Sequence, residues 1–332
     1  MPTIDFTSCE INPKKGFGGA NGNKISLVYN NELYMVKFPP KPSTHKEMSY
    51  TNGCFSEYVA CHIVNSLGLK VQETLLGTYK NKIVVACKDF TTHQYELVDF
   101  LSLKNTMIEL EKSGKDTNLN DVLYAIDNQH FIEPQVLKRF FWDMFIADTL
   151  LGNFDRHNGN WGFLRISNSK EYKMAPIFDC GSCLYPQADD EVCQKVLNNI
   201  DELNARIYNF PQSILKDDND KKINYYDFLT QTNNKDCLDA LLRIYPRIDM
   251  DKIHSIIDNT PFMSEIHKEF LHTMLDERKS KIIDVAHARA IELSLQHKQA
   301  HSNSYDDNTD DLGNNDYLEN TNEYTVTPKR RR

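Results

Sequence analysis

Asn153-Phe154-Asp155-Arg156-His157-Asn158-Gly159-Asn160-Trp161 is the stretch on which the reading of this chain turns. It follows an apolar run, Val136 to Leu151, that begins after Pro134 and reads as a buried helix. Gly152 opens a polar, glycine-punctuated loop in which a carboxylate and a carboxamide stand in D-x-x-x-x-N spacing, one loop turn apart. Downstream, Trp161 to Ile166 and Glu171 to Ala175 predict a short strand pair around Ser167-Asn168-Ser169-Lys170. Ile177-Phe178-Asp179-Cys180-Gly181 comes next. Apolar residues before Asp179 and a glycine after it place a second carboxylate at a strand end with room for an ion.

Working toward the N-terminus, Ile25 to Tyr29 and Leu33 to Phe38 flank Asn30-Asn31, a hairpin signal, and Pro39, Pro40 and Pro42 stop the second strand. Phe55, Val59, His62, Ile63 and Leu67 recur at helical spacing before Gly68. Val71 to Tyr79 and Lys82 to Cys87 predict another strand pair turning at Lys80-Asn81. Hairpin, helix, hairpin is a small sheet-plus-one-helix lobe over residues 1–98. From about Asp99 the pattern is helical apart from the strand pair already noted, giving a second, larger lobe over 99–300. Its strongest helix runs from Ser264 to about Lys298, with Ile266, Phe270, Met274, Ile282 and Ala286 among its apolar positions. Residues 301–332 shift to Asp, Asn, Thr and Ser, the composition of a disordered acidic tail, and close on Lys329-Arg330-Arg331-Arg332. That cluster fits a nuclear address or a contact with an anionic partner, and equally four exposed cations at a frayed end.

D-x-x-x-x-N followed by D-x-G is the spacing that phosphoryl transfer requires. Asp155 has to reach an acceptor hydroxyl, while Asn160 and Asp179 have to reach a metal ion bridging the phosphates. The phosphates also need a cation. Lys37 lies on the second strand after a glycine-rich turn, and Glu57, at the start of the single helix of the small lobe, is its candidate partner. The glycine-rich stretch from Lys15 to Lys24 is the candidate phosphate loop, because glycines let backbone N–H groups approach an anion. Taken singly, a strand lysine, a helix acid and a glycine-rich turn are more often structural. Asn160 would serve as a turn residue and Asp179 as a cap. Their joint order along the chain, on elements of the right type, predicts an α+β, bilobal, protein-kinase-like fold with a β-rich N-lobe and a mainly helical C-lobe.

Asn153 to Trp161 together with Ile177 to Gly181 resembles the N-x-D-R-H-x-x-N and D-x-G signatures of HipA-like Ser/Thr kinases, and the likeness covers roughly residues 10–300. The resemblance implies an ATP-dependent protein kinase, capable of autophosphorylation, working with Mg²⁺ on protein Ser/Thr acceptors. It implies Asp155 as catalytic base, Asn160 and Asp179 as metal ligands, Lys37 on the ATP phosphates, and Gly18 to Asn21 in the phosphate loop. It also implies a hinge to adenine at Val85 to Lys88, with Ala86 and Lys88 as contacts. His157 is a further candidate for the phosphates, weighed against a packing and hydrogen-bonding role. HipA itself carries an additional N-terminal subdomain used with its partner, whereas this chain begins almost at the phosphate loop. D-R-H-x-x-N does not encode the acceptor, so a lipid or small-molecule kinase of the phosphoinositide-kinase type and a nucleotide-binding pseudokinase remain as alternatives.

The formal net charge of -9 argues against a broad nucleic-acid surface, which needs a basic footprint. No apolar run approaches the roughly 20 residues that span a bilayer, and the first residues show no secretory signal. Eight cysteines scattered over 332 residues do not form a disulfide framework, and Cys180-Gly181-Ser182-Cys183 lacks a second ligand pair for zinc. Reduced thiols in a cytoplasmic protein are the expectation.

Overall fold

The computed structural model describes residues 3–16, 24–39, 51–91, 94–107, 117–167, 169 and 171–306. The phosphate-loop candidates Gly18, Gly19, Ala20 and Asn21, and the tail over 307–332 with Lys329 to Arg332, lie outside these residues. The chain forms two compact units, Met1–Ala290 and Ile291–Arg332.

The N-terminal part is a six-stranded sheet in the order β1-β5-β6-β4-β3-β2. Its strands are β1 (Ile4–Asp5), β2 (Glu10–Ile11), β3 (Lys24–Tyr29), β4 (Glu32–Lys37), β5 (Thr74–Tyr79) and β6 (Lys82–Lys88). Both expected hairpins form. Asn30 and Asn31 take φ of 50° and 64°, and Lys80 and Asn81 take 48° and 63°, the left-handed pair that joins strands with the right twist. Helix α1 (Gly53–Ser66) packs on one face of this sheet, and Gly68 at φ 72° turns the chain just beyond it. Strand alternation divides the side chains. Leu27, Tyr34, Val36, Val84 and Ala86 join Phe6 and Tyr79 in a small outer core. Val85 and Cys87 face α1 and belong to the main core, against which Met35 also packs.

A second, three-stranded sheet pairs β7 (Tyr95–Asp99) with β8 (Gly162–Ile166) and β8 with β9 (Tyr172–Met174). The expected lobe boundary at 98/99 therefore falls inside β7, a strand whose partner lies beyond residue 160. The remaining chain is helical: α2 (Phe100–Met107), α3 (Leu119–Asn128), α4 (Pro134–Leu151), α5 (Asp190–Leu197), α6 (Ile200–Asn204), α7 (Tyr225–Gln231), α8 (Lys235–Ile244), α9 (Met250–Asp258), α10 (Glu265–Arg278) and α11 (Asp284–Asp306). A π-turn over Lys279–Ile283 joins α10 to α11, so the long C-terminal helix carries a bulge that its periodicity does not announce. Among the described residues, no helix is long and apolar enough to cross a membrane.

Helix α4 is the centre of the main core. Glu133 accepts a hydrogen bond from the Val136 amide at 2.8 Å, Pro134 occupies the first turn, and Gly152 ends the helix at φ 65°. Phe141, Trp142, Phe145, Ile146 and Leu150 are buried along it, and its C-terminus delivers the chain to Asn153.

Candidate active site

The loop after α4 is held through its main chain. Asn153 Oδ1 accepts from the Asp155 amide at 3.0 Å, the His157 amide donates to the Asp155 carbonyl at 2.8 Å, and Asn160 Nδ2 donates to the same carbonyl at 2.9 Å. The Asn160 amide nitrogen is thereby used inward, and its Oδ1 is the atom with acceptor capacity for a metal. Burial, opposed by His157 and reinforced by Asp179, raises the Asp155 carboxyl above its ordinary range. His157 Nδ1 accepts from the Gly159 amide at 3.0 Å, so that ring nitrogen staples the loop and is not available to phosphate.

Asp179 comes to this loop from the other side. Ile177 forms a parallel bridge with Val71, donates to Lys70 O at 2.8 Å and accepts from Gln72 N at 2.8 Å, which fixes the approach to Asp179 against the stretch before β5. Asp179 takes a left-handed φ of 56°, a conformation that Asp tolerates better than most residues. Lys37 Nζ bridges two carboxylates, Glu57 Oε2 at 2.7 Å and Asp179 Oδ1 at 2.8 Å. Burial alone would depress the Lys37 ammonium, but Glu57 and then Asp179 outweigh it and hold it well above its usual range. The same charge pulls Asp179 down to about 2 against its own burial. Asp179 keeps 44% of its side chain exposed, whereas Glu57 keeps 1%. Glu57 is pushed up by burial and uses its other oxygen to accept from the Cys180 amide at 3.0 Å. One carboxylate on α1 thus fixes both the strand lysine and the D-x-G turn.

Gly181 sits tightly against this pair. A Cβ there would lie 3.0 Å from Glu57 Oε2. Gly181→Ala is expected to cost about 1–3 kcal/mol through overpacking against the buried pair. Urea denaturation measures it, and an unchanged midpoint would count against the tight contact.

A network that the sequence reading did not assign connects the two loops. Arg156 is buried, and its guanidinium grips Asp148 of α4 in a fork, with Nε to Oδ2 at 2.9 Å and Nη2 to Oδ1 at 3.2 Å. Its Nη1 donates to Asn160 O at 2.9 Å and also to Phe178 O, tying the carbonyl of Asn160 and that of the residue before Asp179 to one cation. Asn153 Nδ2 donates to Asp148 Oδ1 at 2.9 Å. The hints in the sequence are an aspartate in the last turn of an apolar helix and the arginine that follows Asp155.

Beside Lys37, Lys24 sits opposite it in the β3–β4 register, and burial followed by the Lys37 charge lowers its pKa. The side chains of Ala86 and Lys88 lie on the face of the sheet away from Lys37. Strand alternation turns Ala86, which is fully buried, into the outer core on the face opposite Lys37. Lys88 pairs with Glu32 at 3.3 Å and Glu73 at 3.5 Å. The segment beside the site is the one after β6, where the ring of Phe90 lies 5.6 Å from that of Phe178.

A sheet-borne lysine paired to a helix glutamate, facing a D-x-x-x-x-N loop and a D-x-G turn, defines the protein-kinase class. The HipA-like C-terminal domain matches residues 16–241, and the chain belongs to that family. It is 93% identical over 332 residues, covering 100% of both chains, to the serine/threonine-protein kinase CtkA of Helicobacter pylori strain J99. A crystal structure of a Helicobacter pylori proinflammatory kinase CtkA, 96% identical, matches with a TM-score of 0.85 over 88% of this chain and 99% of that one. The chain is a serine/threonine-protein kinase, a phosphotransferase that uses ATP. Of the three functions the sequence left open, the relatives show this one.

Proposed function

We propose that Asp155 is the catalytic base, that Asn160 and Asp179 hold Mg²⁺, and that Lys37 holds the ATP phosphates. The observation that carries this reading is the bridge Glu57–Lys37–Asp179, which joins the sheet, α1 and the D-x-G turn into one arrangement. The donor set fits the ion. Mg²⁺ takes oxygen ligands, and the exposed Asp179 carboxylate and the Asn160 Oδ1 supply them. When bound, the ion would neutralise charge on the phosphates. The protein's own part is positioning. Lys37 presents a fixed positive charge, and Asp155, its carboxyl raised by burial, takes the proton of a Ser/Thr hydroxyl at a loop position set by its main-chain hydrogen bonds. Gly18, Gly19, Ala20 and Asn21 join this reading as the phosphate loop on their glycine content. Seven buried, unpaired cysteines fit a reducing compartment such as the cytoplasm.

The test takes account of how deep the pair lies. Lys37→Ala alone would strand the Glu57 carboxylate, so a stability loss would accompany any functional one. Lys37→Met with Glu57→Gln removes both charges and is expected to melt close to wild type. Its affinity for a non-hydrolysable ATP analogue, by isothermal titration, should fall by about ten- to a hundredfold, the worth of a charge-assisted contact. Wild-type affinity in the folded double variant would remove Lys37 from the phosphate site.

A further inference from the structure

The segment from Ala205 to Tyr225 is clamped onto the catalytic loop at successive residues. Gly152 abuts Pro211 so closely that a Cβ would come within 2.6 Å of Pro211 Cγ. The Tyr225 hydroxyl donates to the Asn153 carbonyl. The ring of Phe154 lies 5.7 Å from that of Phe210. Lys222, exposed on the short hairpin in which it bridges Lys216, lies near enough to act on the charge of Asp155. The clamp is itself held from behind, because Tyr185 donates to Arg206 O at 2.8 Å and Asn224 Nδ2 donates to Tyr208 O at 2.6 Å. This segment is therefore a fixed wall beside the residue proposed as base.

That wall is apolar where it meets the loop. Phe210 keeps 45% of its surface exposed, and its ring contacts the residue immediately before Asp155. An exposed phenylalanine standing alone needs no explanation. This one touches the residue next to Asp155, the proposed base, which a protein acceptor has to approach. An acceptor whose hydroxyl reaches Asp155 brings its flanking residues along at no more than about 3.6 Å of extended chain per residue, so residues one to three places away fall within reach of this wall.

We propose that Phe210, backed by Phe154, is a docking surface for a large apolar side chain flanking the Ser/Thr acceptor of the protein substrate. The inference rests on Asp155 being the base and deepens that reading, because it gives the kinase a sequence preference. Apolar burial against the two rings supplies the discrimination, and the fixed wall sets the distance from acceptor to docked side chain.

The experiment uses the full-length chain with synthetic peptides that share one serine and differ only in whether Leu, Phe, Ala or Asp occupies each position up to three places on either side. At one of these positions, Leu or Phe is expected to give a kcat/KM about tenfold above Ala, as partial burial of a large apolar side chain predicts. Phe210→Ala should erase that preference while the KM for ATP and the melting temperature stay near wild type. Phe210→Leu should keep most of it. Equal rates for apolar- and Ala-substituted peptides in the wild type, or a preference that survives Phe210→Ala, would overturn the docking proposal. Asp155→Asn run beside them separates the two readings: phosphorylation of the peptides by that variant at the wild-type rate would remove the base assignment instead.

Discussion

Asp155→Asn is expected to lower phosphotransfer by about 10²–10⁴-fold, the usual worth of a general base. Binding of a non-hydrolysable ATP analogue should stay within a few-fold of wild type. The loop explains why the two effects separate. The hydrogen bonds that shape residues 153–160 use the Asp155 amide and carbonyl, so an isosteric side chain leaves the loop standing. Asp179→Asn should behave differently. That carboxylate is held ionised by Lys37, down to about 2, and presents a charged oxygen for a metal. Its loss should weaken nucleotide binding more in Mg²⁺ than in its absence, in addition to stopping transfer. Isothermal titration with and without Mg²⁺, paired with a radiolabelled ATP assay, measures both variants. If they exchange behaviours, base and ligand are inverted. If both phosphorylate at the wild-type rate, the site assignment fails as a whole.

What was legible in the sequence is what local chemistry determines. Asn30-Asn31 and Lys80-Asn81 announce turns because few residues accept positive φ twice in succession, and both pairs do so. Helix α1 shows in its apolar spacing and in Gly68, and α4 in Pro134 and Gly152. The residues proposed for the chemistry stood out because phosphoryl transfer asks for groups at such a spacing, and the structure brings Lys37, Glu57 and Asp179 within hydrogen-bond distance from three separate elements.

What was not legible depends on pairing across the chain. Ala86 looks as suitable as Val85 in a run of apolar residues, but only the register with β4 and β5 decides which face it takes. Strand β7 belongs to a different sheet from β6, just before it, because its partner is β8, more than sixty residues on by the register Tyr95 to Ile166. Arg278 is a stronger case. It is buried on α10, yet it donates to Thr149 O and Leu150 O at the end of α4, where the last carbonyls of a helix lack partners. Nothing near residue 278 in the sequence states what lies opposite it.

Arg156 joins these two kinds of information, since D-R-H shows the residue and only the fold shows its burial. Arg156→Met should cost about 3–5 kcal/mol, because it strands the Asp148 carboxylate inside the core. Burial already raises the Asp148 pKa even with the arginine present, so that carboxylate is poorly placed to stay charged alone. Linear extrapolation of urea unfolding measures the loss. Adding Asp148→Asn removes the stranded charge and is expected to recover most of the stability. It should not recover turnover. The guanidinium contacts to the carbonyls of Asn160 and Phe178 stay absent, and these hold the two proposed metal-binding loops at a common spacing. A double variant that is stable but slow assigns Arg156 to positioning as well as to folding. Wild-type turnover in that variant would reduce Arg156 to a stabilising ion pair, and a wild-type urea midpoint for Arg156→Met alone would contradict the burial of the pair.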